Sequence, residues 1–179
     1  MILQASRKEQ QRAPERRFRE PSDDERCRLY DFYELIHASP FGRSKKRTLM
    51  TVALGEEPWS WRVVGISVAA IQAIARNDFN HPAHQLARDH IVPRAQTYDE
   101  IFSGALLPLD CWWSLVWEND RTRLLTQDEH HRRQRLTRVI EIDPALGFFM
   151  DAPTAGWYHS RRREGEFVRC LAINEGIEW

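Results

Sequence analysis

The chain has 179 residues, 42% of them hydrophobic, which is enough to bury one core. Its 26 basic and 26 acidic residues cancel to a formal net charge of zero, which excludes a wholesale basic nucleic-acid binder and confines any such role to a local patch. Three distant cysteines (Cys27, Cys111, Cys170) without Cys-x-x-Cys spacing argue against a thiolate zinc knuckle and a disulfide framework, and no apolar run reaches signal-peptide or membrane-span length, so the expectation is a reduced, cytoplasmic protein with no membrane partner.

Residues 1–26 are rich in Arg, Glu, Gln, Pro and Asp and almost free of apolar side chains after Leu3, so they read as a flexible charged tail, with one α+β domain over 27–179. In residues 28–37, Leu29, Phe32, Tyr33, Leu35 and Ile36 recur at helical spacing, and Ser39-Pro40-Phe41-Gly42 ends that helix. The basic run 43–47 reads as a solvated loop, with a phosphate-contacting loop as its functional alternative, leading into an expected strand over 48–54. Residues 59–64 carry no clear signal. Residues 65–75 form the most apolar expected helix, with Ser67 placed to cap it and residues 77–80 closing it.

Arg88-Asp89-His90-Ile91-Val92-Pro93 reads as a short strand stopped by proline, which has no N–H to give to a sheet. The following stretch, 94–118, reads as an insertion with a short helix around Tyr98, Ile101 and Phe102 and a second over 108–117. In that second helix Trp113 and Trp117 are spaced i, i+4 and are expected to pack in the core rather than to form, with Trp112, a base-stacking platform. A second strand over 122–125 runs into a helix at Thr126, where Glu129 three residues on completes a capping box and His130 and His131 fall in the first turns. From 121 to 138 there are six arginines and two acids, a local basic bias on a neutral chain. Residues 139–144 read as an exit strand. Residues 148–150 and 167–173 are expected strands, the latter buried on both faces, with 161–166 as the turn that joins a 156–159 segment to it in a C-terminal β-hairpin.

The ordered set of Asp89-His90-Ile91-Val92-Pro93, Asn119, a strand, a capped helix and His130 or His131 resembles the HNH (ββα-metal) endonuclease family. The resemblance covers about fifty of the 179 residues. It implies a ββα-metal core over about 86–138, embedded in a small mixed α+β domain with flanking helices. The activity it implies is metal-dependent hydrolysis of DNA phosphodiester bonds, alone or as the cutting subunit of a larger assembly. His90 suits the general base, since an imidazole titrates near neutral pH. Asp89 offers a hard oxygen for Mg²⁺ or Mn²⁺, with Zn²⁺ as the other option, and His130, or alternatively His131, completes the protein's share of the ligands. By the resemblance, orientation of the base falls to Asn119, with Asp120 as its neighbouring alternative. Arg88, Arg94, Arg121 and Arg133 are the candidate DNA contacts. One such site makes one cut, so cutting both strands calls for a homodimer or two successive events.

Two further readings compete. The basic runs fit a non-catalytic nucleic-acid-binding or adaptor protein that keeps the fold without the chemistry. His81, His84 and His90 would suit a zinc hydrolase, although Pro82 lies between the first two, and loop histidines packed beside the motif are the simpler account.

Overall fold

The computed structural model describes residues 19–55, 57, 59–82, 84–132, 137–149 and 159–179. It is a mixed α+β structure. The helices are α1 (Asp23–Ala38), α2 (Arg43–Gly55), α3 (Val68–Arg76), α4 (Arg94–Phe102), α5 (Leu109–Asn119), α6 (Gln127–Arg132) and α7 (Glu166–Asn174). Strands β1 (Arg62–Ser67), β2 (Leu86–His90), β3 (Arg121–Thr126) and β4 (Val139–Glu141) form one sheet in the order β2-β3-β1-β4. Strand β3 pairs antiparallel with β2 and parallel with β1, and β4 closes the far side antiparallel to β1. Among the described residues no helix is long and apolar enough to cross a membrane, and the three cysteines are free thiols.

Helix starts follow local chemistry. Ser22 and Glu25 form a full capping box on α1, so this helix begins within the stretch expected to be tail. The Ser67 hydroxyl caps α3 by accepting from the Ala70 N–H. The Thr126 hydroxyl accepts from the Glu129 N–H while the Glu129 carboxylate accepts from the Thr126 N–H, which gives α6 its start at the end of β3.

Two apolar clusters result. The sheet buries Ile66, Leu86, Leu124 and Ile140 against Ala70, Ile71 and Ile74 of α3 and Val168 and Ala172 of α7. A separate, mainly helical cluster joins Leu29, Tyr33 and Ile36 of α1, Met50 and Leu54 of α2, Tyr98 and Ile101 of α4, and Trp112 and Val116 of α5, with Trp59 from the turn before β1. Trp112 is its centre, fully buried and stacked on Tyr33 with ring centroids 5.3 Å apart. Trp113 and Trp117 pack against the same cluster, half-buried and with centroids 5.6 Å apart, so the i, i+4 pair flanks a core whose deepest tryptophan is its neighbour.

Several expected elements differ. The expected strand over 48–54 is the second half of α2, because Met50 and Leu54 repeat at i, i+4 and reach the helical cluster together. The basic run before it is the opening of that helix. Lys46 Nζ donates to the His37 carbonyl at 2.6 Å, and Arg47 and Arg43 both pair with Asp99, so these cations are engaged within the protein. No C-terminal hairpin forms at 161–173. Residues Arg161–Gly165 make a single wide π-helical turn, capped by Ser160, that feeds directly into α7. The lack of alternation in 167–173 reflects a helix, with Val168 and Ala172 on its buried face. Gly165 is required at that junction, since a Cβ there would lie 2.3 Å from the Phe79 carbonyl oxygen. Phe148 and Phe149 lie in a turn, not a strand, while Met150 and residues 151–158 lie outside the described residues.

Candidate active site

The sheet topology brings the chemistry to one end of its edge strand β2. His90 is the last residue of β2 and pairs with Thr122; Asp89 pairs with Arg123. Adjacent strand residues project to opposite faces, so the two side chains serve different neighbourhoods.

On one face His90 meets Asp120, the residue between α5 and β3 that ends the helix by donating its N–H to the Val116 carbonyl. The imidazole Nε2 lies 3.2 Å from Asp120 Oδ1 and 3.0 Å from Arg94 Nε, and Arg94 Nε is itself 3.2 Å from that carboxylate oxygen. One nitrogen cannot both donate and accept through a single proton site. Arg94 Nε–H is within reach of both Nε2 and Oδ1; because a bare Nε2 would turn its lone pair on the carboxylate, we assign the proton to Nε2, donating to Asp120 Oδ1, with Arg94 Nε–H going to the same oxygen. That tautomer leaves the Nδ1 lone pair open, and nothing among the described residues hydrogen-bonds it.

The pair is well supported. Arg94 Nη2 donates to Asp120 Oδ1 at 2.7 Å and to Ser60 Oγ at 2.8 Å, and the Trp61 N–H donates to Asp120 Oδ2 at 2.7 Å. Side-chain exposure is 9% for His90, 7% for Asp120 and 13% for Arg94. Burial works to raise the Asp120 carboxyl, but the His90 hydrogen bond and the charge and hydrogen bonds of Arg94 outweigh it and hold it below the ordinary carboxylate range.

On the other face Asp89 Oδ1 lies 3.3 Å from His130 Nδ1, with side-chain exposures of 46% and 36%. A carboxylate oxygen and an imidazole nitrogen at this spacing fit one divalent cation, because neighbouring ligands of an octahedral ion at 2.0–2.1 Å are about 3 Å apart. Among the described residues no third His, Cys, Asp or Glu joins them, so the pair is open to solvent and substrate oxygens. His131 is exposed, with its ring 5.2 Å from that of His130; of the two, His130 is the one that reaches Asp89.

Helix α6, which carries His130, is anchored by Glu129. This buried carboxylate accepts from Ser67 Oγ at 2.6 Å, Thr126 N at 2.9 Å, Thr126 Oγ1 at 3.1 Å, Thr137 N at 3.1 Å and Thr137 Oγ1 at 2.6 Å. Burial alone would raise its pKa, but these donors, Ser67 first among them, lower it. Glu129→Ala is expected to cost about 2–3 kcal/mol, read as a lower urea midpoint at unchanged m, because it strips a charged acceptor from several donors at once.

The other expected site residues are distributed as follows. Asn119 ends α5 and is half-buried beside Leu54, Arg94 and Thr97; it is Asp120, not Asn119, that touches His90. Arg94 is a buried member of the His90–Asp120 network rather than a surface cation. The Arg88 guanidinium lies 5.0 Å from the centre of the Trp61 ring. Arg121 is exposed and tied to Glu118, through its carbonyl at 2.8 Å and its carboxylate at 3.4 Å. Arg133 lies outside the described residues. The three histidines of the zinc reading do not converge: the His81 ring packs 5.6 Å from that of His159, His84 is exposed, and His90 faces Asp120.

Ser60, Trp61 and Arg123 were not singled out from the sequence. Trp61 precedes β1 and reaches Asp120 across 59 residues of chain, a partnership with no local signal. Arg123 was visible only as one of six arginines; its place opposite Asp89 comes from the strand register. Comparison with protein-family models, with curated proteins and with solved structures finds no match to this chain.

Proposed function

We propose that the protein is a metal-dependent endonuclease of the HNH (ββα-metal) type that hydrolyses DNA phosphodiester bonds. The observation that carries this reading is the pairing, on consecutive residues of one strand end, of a supported imidazole (His90 on Asp120) with an open carboxylate–imidazole pair (Asp89 and His130). The antiparallel β2–β3 pair followed at once by α6 is the frame on which those residues are spaced.

Hydrolysis requires a water deprotonated as it attacks phosphorus and a 3′ oxygen stabilised as it departs. His90 Nδ1 takes the proton from water. Asp120 then holds the imidazolium through Nε2–H, as a buried carboxylate does for a histidine base, and Arg94 keeps Asp120 ionised and in place. Asp89 and His130 are the residues that would hold Mg²⁺ or Mn²⁺, which supplies Lewis-acid charge neutralisation at the phosphate and the departing oxygen. Arg123, the register partner of Asp89 on β3, and the exposed Arg121 would meet flanking phosphates on this reading.

The test is supercoiled-plasmid cleavage with Mg²⁺, Mn²⁺, Zn²⁺ or EDTA, combined with Mn²⁺ binding followed by electron paramagnetic resonance. Asp89→Asn and His130→Ala should each weaken Mn²⁺ binding by about tenfold or more and reduce nicking. Salt-sensitive plasmid binding with no metal-dependent product from wild-type protein would instead mark a non-catalytic nucleic-acid-binding protein.

A further inference from the structure

Trp61 is out of place by every local rule. Its φ is +62°, a left-handed conformation that a bulky L-residue adopts only where its surroundings enforce it. Those surroundings are the active-site network. The strained main chain turns the Trp61 N–H onto Asp120 Oδ2 at 2.7 Å, while the Trp61 carbonyl accepts from the buried Thr122 hydroxyl at 3.1 Å. The other carboxylate oxygen, Oδ1, takes His90 and Arg94, so the Trp61 N–H is the contact that fixes how the Asp120 carboxylate is rotated.

The side chain acts on the same pair from the other side. The Trp61 ring lies edge-on to the His90 imidazole, with centroids 4.3 Å apart and planes at 61°. The Arg94 guanidinium is 4.3 Å and that of Arg88 5.0 Å from the Trp61 ring centre, so the indole is itself held by two cations. A half-buried ring so placed blocks rotation of the imidazole and keeps water from its Nε2–H bond to Asp120.

We infer that Trp61 is a positioning residue for the base, its left-handed main chain orienting Asp120 and its ring locking His90 in the Nε2–H tautomer that leaves Nδ1 free. The inference rests on the reading of His90 as the base, but two of its three readouts need no cleavage.

The first readout is long-range ¹H–¹⁵N correlation on full-length protein labelled at histidine, recorded at pH 8, with His90→Gln assigning the His90 signals. Wild type and Trp61→Phe should show one Nε2–H tautomer, and Trp61→Ala and Trp61→Gly a mixture. The second is thermal melting. Trp61→Gly should melt above Trp61→Ala, since glycine adopts a positive φ without steric cost whereas alanine does not. The third is plasmid nicking, where Trp61→Gly and Trp61→Ala should lower kcat about 10²-fold at similar KM, with Trp61→Phe recovering most of it. An unchanged His90 tautomer in both Trp61→Gly and Trp61→Ala, or a Trp61→Ala melting point at or above that of Trp61→Gly, overturns the inference. Wild-type protein that shows the Trp61-dependent tautomer and cuts nothing sinks the nuclease reading, and with it the base role, while leaving standing that Trp61 fixes the orientation and tautomer of His90.

Discussion

His90→Ala is expected to lower metal-dependent plasmid nicking by about 10²–10⁴-fold, the range for losing a positioned general base. On the proposed mechanism the loss should fall on kcat, because the base would take its proton only as water attacks, and Asp89, His130 and the arginines proposed to meet the substrate remain. His90→Gln is the companion variant. It keeps a polar group near Asp120 and much of the volume packed against Trp61, yet it has no basic nitrogen, so it should be as inactive as alanine while melting closer to wild type. Near-UV circular dichroism, dominated by the seven tryptophans, would establish that the fold is kept. Full nicking by either variant removes His90 from the chemistry.

Asp120→Ala should produce the largest loss of stability of any single substitution at the site, about 3–5 kcal/mol. Arg94 is 13% exposed and spends two of its nitrogens on Asp120, so truncation leaves a buried guanidinium without its counter-charge. A double-mutant cycle with Arg94→Met isolates the pair, since replacing both should cost less than the sum of the single changes. The same coupling makes stability depend on pH in a defined direction. The folded-state pKa of Asp120 is depressed, so its contribution is fully present above the unfolded value of about 3.9 and is lost as pH falls through the lower folded value. Protonating Asp120 strands the buried guanidinium of Arg94 without its counter-charge. Urea unfolding between pH 7 and pH 2.5 should therefore show a steep acid loss in wild type that is shallower in Asp120→Asn.

Signals written in local chemistry were legible in the sequence. Thr126 and Glu129 start α6 and Ser67 caps α3, each through contacts within three residues. Misreadings arose where a short apolar run admits two periods. Residues 48–54 and 167–173 contain β-branched side chains that suggest strands, yet Met50 and Leu54, and Val168 and Ala172, share a face only on a helix. Within the site, Asp89, His90 and His130 were visible because they sit on adjoining elements. Asp120 was separable from Asn119 only by the turn of the chain at the end of α5, which brings the Asp120 carboxylate to His90. Trp61 was hidden because its role depends on a main-chain conformation and on partners far along the chain.

The position of β3 has a consequence for how the molecule comes into being. It is the third strand in sequence but lies between β2 and β1, and among the described residues it is the only strand that either β2 or the neighbouring side of β1 pairs with. During synthesis, therefore, β1 and β2 have no ladder to join until residues 121–126 leave the ribosome, followed immediately by the helix that bears His130. Closing β1 onto β3 then joins segments some sixty residues apart, a long-range contact of the kind that slows folding. Nascent chains stopped before residue 121 would carry Asp89, His90 and Asp120 but neither the strand that aligns them nor His130, so the candidate site cannot assemble until most of the polypeptide has been made.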